Sequence, residues 1–368
     1  MRKIVSLLAA LFTCLVPLFA PAEGLPTPFS QTVRWNQTYE AHGREIYVDL
    51  EVGVPDTLEA DILTARVGNS SLSEEQLARY AAMEKTFKFG ANNSEGFLGM
   101  GVNNPFIALP GQKSGQCRTW MLDLATSDVN TAYAENSPVT LGQAWDIFCS
   151  EVAYCYGEEV ARQLVVNEVK MRDRLKVYNK KKQEYGQPLR EYGSYQFLAL
   201  QSFHGLPLLC HVCSAFDHMV KGEHFRLLTG LIGMIANEEA FEFIFSLMKE
   251  EDVVAEKAPL CSAQDAIAAL EAEIEKGRIR NVHSLQLAYI LWNDAKDEEL
   301  FYMIPCWVAE CDYFSSAKKK ESKEDQQAEH YTDKTCYQKI MVNALTGKLV
   351  EPEDKSKHRC EAQADWFN

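Results

Sequence analysis

Beyond its first twenty residues this chain has no long apolar run. No later segment approaches the ~20 residues needed to cross a bilayer, which excludes a polytopic membrane protein. Positive charge is also scarce: 37 Lys and Arg stand against 52 Asp and Glu, a net charge of −15 at pH 7. A field of that sign repels phosphate backbones and anionic lipid, so nucleic acid is excluded as a partner. Cysteine is thin, at 11 in 368 residues, far below the density of a disulfide-dependent scaffold. Gly (20) and Pro (13) are too few for a collagenous or low-complexity chain. The 46% hydrophobic content is instead that of a globular protein, and the length allows two domains or slightly more, each with its own core.

Motifs of known chemistry are missing too. There is no glycine–serine nucleophile elbow and no zincin helix. Gly96-Phe97-Leu98-Gly99-Met100-Gly101 is glycine-rich, yet no Lys-Ser/Thr follows, and it reads as a flexible connection. Ser315-x-x-Lys318 and Ser316-x-x-Lys319 have serine–lysine spacing but fall in a charged loop without partner motifs. No cofactor is called for.

What is present begins with a leader. Arg2 and Lys3 precede an apolar run from Ile4 to Ala20, and Ala20-Pro21-Ala22 places small residues before a cleavage site. Residues 1–22 are therefore expected to be a signal peptide cut between Ala22 and Glu23, which puts the mature protein outside the cytoplasm, secreted or at the envelope. Lipid anchoring at Cys14 within Leu11-Phe12-Thr13-Cys14 is the alternative; Thr13 stands where a smaller residue is expected. Without Cys14, ten cysteines remain, an even number that permits disulfides in an exported chain.

The mature chain reads as α+β. Residues 23–43 lack a period and are expected to form an irregular arm. Ile46–Val52 and Ile62–Val67 alternate as strands, and Ser73 with Gln76 caps a helix through Met83, giving a small β-β-α unit over residues 23–135. Thr140 and Gln143 form a second capping box before Leu141, Trp145, Phe148, Val152 and Cys155, one apolar stripe at 4, 3, 4, 3 spacing. Strands follow at Leu164–Met171, at Tyr195–Phe203 and from Leu208, so residues 136–250 read as an α-β-β-β module with antiparallel strands. Ser262 with Asp265 caps a helix carrying Ala266, Ile267, Leu270 and Ile274. Strands at Leu285–Trp292, Leu300–Glu310 and Tyr337–Ala344, then Leu349-Val350, make residues 251–350 a second such module. Residues 351–368 form a polar tail, and residues from about 135 to 350 are expected to fold without the N-terminal unit.

Tyr302-Met303-Ile304-Pro305-Cys306-Trp307, a polar hairpin and Val342-Asn343-Ala344-Leu345-Thr346-Gly347-Lys348-Leu349-Val350 together resemble the closing hairpin of PepSY-like modules. The capped helix upstream, Tyr195–Phe203 with His204-Gly205-Leu206-Pro207, and the Val48–Pro55 strand are similar to a clostridial family of secreted lipoproteins of unknown function. That family is distantly similar to the extracytoplasmic regulators of cell-wall two-component kinases. The resemblance implies an exported, non-enzymatic α+β protein and carries over no catalytic residue; it departs at Cys14, where most such proteins have a clean lipobox.

His204, Cys210, Cys213 and His218 are the candidates for a metal site, since thiolate and imidazole can bind zinc tetrahedrally. The favoured reading is an apolar strand flanked by exposed histidines, because residues i and i+3 of a strand point to opposite faces. Cys311 and Cys336 frame the polar hairpin and are expected to form a disulfide if they lie opposite each other; two reduced thiols are the alternative. The expected function is a non-catalytic binding or regulatory role at the envelope, with another envelope or secreted protein as partner. The alternative is a hydrolase acting on wall polymers or peptides, which paired carboxylates or a histidine beside a nucleophile would favour.

Overall fold

The computed structural model describes residues 24–41, 43–68, 73–76, 88–91, 105–108, 115–116, 119–174, 176–179, 184–188, 192–209, 218–220, 223–225, 230–235, 240–294, 296–297, 300–313, 337–350 and 359–360. The architecture is α+β with mainly antiparallel sheets, as the sequence implies. It opens on a two-stranded ribbon, β1 (Gln31–Ala41) and β2 (Arg44–Val54), paired along their full length. The expected irregular arm is thus mostly a strand. Only Trp35, Tyr39 and Ala41 of β1 are buried, and so sparse an apolar face gives almost no alternation to read.

The first helix-and-meander unit starts with α1 (Leu141–Tyr156), followed by the single turn α2 (Glu158–Arg162). Thr140 Oγ1 accepts from the Gln143 amide while Gln143 returns its side chain to the Thr140 N–H, so two orphan groups of the first turn are satisfied. Leu141, Trp145, Phe148, Val152 and Cys155 are all buried, as the spacing predicts. They meet β5 (Leu164–Arg172) and β6 (Ser194–Phe203), which form an antiparallel sheet with β8 (Gly230–Ile235), β9 (Ala240–Ser246) and β4 (Thr119–Met121) in the order β9-β8-β6-β5-β4. The rings of Trp145, Phe148 and Phe197 lie 5.3–5.7 Å apart, in the range of tilted and edge-on aromatic contacts. The third strand of this meander is β8 rather than one starting at Leu208: β7 (Leu206–Pro207) is a two-residue return against β6.

The second unit repeats the order. Ser262 and Asp265 cap α3 (Ala263–Glu275), and β11 (Ile279–Asp294), β12 (Leu300–Tyr313) and β13 (Tyr337–Asn343) follow as an antiparallel meander, closed by β14 (Leu349–Val350). This sheet is not made by residues 251–350 alone. β3 (Glu59–Val67) pairs with the start of β12 on one side and with β10 (Met248–Pro259) on the other. The boundary expected at residue 135 is therefore crossed by a ladder of backbone hydrogen bonds, and the N-terminal unit supplies an interior strand of the later sheet.

Side chains alternate to two different covers. Leu287, Tyr289, Met303, Trp307 and Val342 face α3 and the β1–β2 ribbon, whereas Ala288, Ile290, Ile304, Val308 and Met341 face a second core that includes Leu200 and Leu209 of the first unit. The ribbon is tied to the helix by a polar relay: Trp35 Nε1–H donates to the Tyr39 hydroxyl at 2.8 Å, and that hydroxyl donates to Glu271 at 2.5 Å.

The register also corrects the cysteine expectation. β12 and β13 pair as the sequence implies, but Cys311 lies opposite Gln338, so it is not the direct partner of Cys336. Cys311 is a buried free thiol, and Cys336 lies outside the described residues. So do residues 1–22 with Cys14, Ala22 and the neighbouring Glu23, the glycine-rich segment 96–101, and Ser315 to Lys319. Among the described residues no helix is long and apolar enough to cross a membrane.

Candidate functional site

Of the four metal candidates, His204 is the one whose side chain is described, and it reaches a cluster of ionisable groups. β6 ends at Phe203, which pairs with Leu206 across the two-residue turn His204-Gly205. Both turn residues have positive φ, 47° and 86°, as a type I′ hairpin requires. Glycine adopts that region freely. Histidine does so at a cost that its side-chain contacts offset.

Those contacts are two carboxylates from the second unit's sheet. His204 Nδ1 lies 2.6 Å from Asp61 on β3, and Nε2 lies 3.1 and 3.2 Å from the two oxygens of Glu250 on β10. Asp61 and Glu250 come from neighbouring antiparallel strands. The other Asp61 oxygen accepts the Lys257 backbone N–H at 2.7 Å, and the Tyr289 hydroxyl donates to the Asp61 carbonyl at 2.7 Å. Lys257 itself has φ +50° inside an irregular stretch of β10, which turns its amide toward Asp61.

The electrostatics follow from the hydrogen bonds. The hydrogen bond to Asp61 raises the His204 pKa above the ordinary imidazole value; partial burial opposes this, and Glu250 adds to it. The His204 ring, followed by the Lys257 amide, holds the Asp61 carboxyl below the usual range. In the imidazolium form both ring nitrogens donate, which leaves no lone pair to accept a proton from a substrate. A depressed Asp61 is likewise a poor proton donor. The arrangement is chemically a clamp between two charged strands and a turn.

The side chains of the remaining metal candidates lie outside the described residues. Cys210 and Cys213 lie outside the described residues, and His218 is placed as backbone opposite Phe225 in the short ladder His218–Val220 with Glu223–Phe225. Among the described residues no group of three or more His, Cys, Asp or Glu side chains is arranged to hold a metal ion. Burial pushes the Cys149 and Cys311 thiols up to about 12 and raises Cys261 and Cys306 as well, the reverse of what a nucleophilic cysteine needs.

Asp61 and Glu250 escape sequence reading. Each is one acidic residue in a charged or alternating stretch, and only strand pairing brings them to His204. The positive-φ turn, legible as His204-Gly205, is the one local signal.

Fold and site together define an α+β protein of two helix-and-meander units, the second of which takes an interior strand from the N-terminal region. No family model matches the chain, and no curated protein matches it. Among solved structures, the chain is similar to an uncharacterized protein from Eubacterium rectale, with a TM-score of 0.51 and 12% sequence identity, over 87% of this chain and 93% of that one. At that identity the likeness concerns the fold.

Proposed function

We propose that this chain is an exported binding or regulatory protein of the cell envelope that works by surface contact rather than by catalysis. One observation carries the reading. β1 is an 11-residue strand that, among the described residues, pairs only with β2, and Gln31, Thr32, Arg34, Asn36, Gln37 and Thr38 along it are exposed. A strand with unpaired backbone donors and acceptors is a template for an incoming extended segment, with alternate side chains setting specificity. The outer face of the ribbon adds acidic character through Glu40, Glu45 and Glu51, with Tyr47 exposed beside the Arg34–Asp49 pair. The unactivated thiols and the engaged His204 support the non-catalytic part of the reading.

The test is site-specific photocrosslinking of the tagged mature protein in its own envelope, with the crosslinker at Thr32 or Asn36 and a control at Lys296. A discrete protein adduct from the β1 positions, absent from the control, is expected. Hydrolysis of wall polymer or peptide by the purified protein, lost in Asp61→Asn or Glu250→Gln, would establish the hydrolase instead.

A further inference from the structure

Among the described residues the two units meet along a seam that carries His204. On the first unit's side are the β6–β7 turn and the residues after it; on the second unit's side are β3, β10 and β11. The Leu209 N–H donates to the Tyr289 carbonyl at 3.0 Å, and Leu208 bridges Tyr289 in parallel. Gln201, buried at the end of β6, imitates a ladder partner: its carboxamide donates to the Met248 carbonyl at 3.1 Å and accepts the Met248 N–H at 2.7 Å. These contacts are neutral. The His204 contacts are the charged ones, and they are partly open to water, with His204 and Glu250 side chains 35% and 32% exposed.

We propose that His204 is a proton-operated latch, closed by its imidazolium between Asp61 and Glu250, which fastens the β6–β7 turn of the first unit to the sheet of the second. The ionisable groups facing it are Asp61 from β3, Glu250 and Lys257 from β10, and Tyr289 from β11. A neutral imidazole keeps one donor for two carboxylates, so loss of the proton to solvent leaves one carboxylate facing a ring nitrogen lone pair. The direction of the response follows from linkage. The His204 pKa is raised in the folded state, so its contribution is complete at low pH and is lost as pH rises through the folded value. The Asp61 pKa is lowered, so its contribution is present above the ordinary carboxylate range and is lost as pH falls through its folded value. The latch is thus closed in a window bounded below by Asp61 and above by His204.

Native-state hydrogen exchange of the full chain at pH 6 and pH 9, corrected for intrinsic base catalysis, reads the latch at the Leu209 amide. The wild type is expected to lose Leu209 protection several-fold at pH 9, with the Phe148 amide of α1 unmoved. His204→Asn, which retains a residue tolerant of positive φ, is expected to show the low protection at both pH values. Equal Leu209 protection at pH 6 and pH 9 in the wild type, or a wild-type response in His204→Asn, overturns the latch. Should His204→Asn fail to fold, titration of the His204 ring by NMR in the wild type and in Glu250→Gln decides it. A raised midpoint that falls in Glu250→Gln supports the latch, and an ordinary imidazole midpoint in the wild type refutes it.

Discussion

The two helix-and-meander units have the same element order but differ in how fully the faces of the sheet are covered. In the first, β5 alternates between buried and half-buried residues: α1 covers the buried side, and the other is only partly covered, where Val165 packs against the core that Leu200 shares with the second unit. In the second, β12 is buried at every position from Met303 to Ala309, because α3 and the β1–β2 ribbon cover one side and Leu200 and Leu209 of the first unit abut the other. Repetition of a topology therefore does not repeat its energetics. The later unit is the central layer of the molecule, and its completeness depends on strands from both earlier regions.

The largest way to break this comparison is to remove the borrowed strand. A fragment of residues 135–350 leaves β10 and β12 without β3 between them, exposing Ile62 and Leu63 contacts on both faces. It is expected to show no cooperative thermal transition by circular dichroism, against the autonomy that the sequence alone suggests. A single substitution in the doubly covered layer comes next. Trp307 is fully buried and its Nε1–H donates to the Cys261 carbonyl, so Trp307→Ala should lose about 3–5 kcal/mol in urea denaturation.

The less fully covered unit should be more forgiving. Tyr195 is also fully buried, and its hydroxyl accepts from Tyr133 N–H and donates to the Val139 carbonyl. Tyr195→Phe keeps the ring and removes those bonds, with an expected loss of about 1–2 kcal/mol by the same assay. The smallest effects fall on features the units share. Thr140→Ala and Ser262→Ala each remove one capping box and should each cost about 1 kcal/mol, alike within error. A clear inequality would mean that helix docking differs between the units more than their capping does.

The sequence made visible what is local. All three capping boxes, the α1 stripe, β6, and the closing hairpin with its Leu349-Val350 strand are present where spacing and turn residues place them. What was hidden depends on pairing across long separations. β10 carries Lys249, Glu250, Glu251, Asp252 and Glu256, a charged run that becomes a strand because β3 supplies its ladder. β1 shows three buried residues in eleven, too few for a period. The His204 cluster likewise joins residues 143 and 46 positions away from the histidine, and no local pattern marks its carboxylates.

The most direct measurement of whether β3 is integral to the second sheet is native-state hydrogen exchange under mildly destabilising urea. The amides of Leu63 and Ala65 on β3 should exchange together with those of Cys306 to Ala309 on β12, at the free energy of global unfolding. Exchange of the β3 amides well below that limit, as a separate N-terminal unit would show, would contradict it.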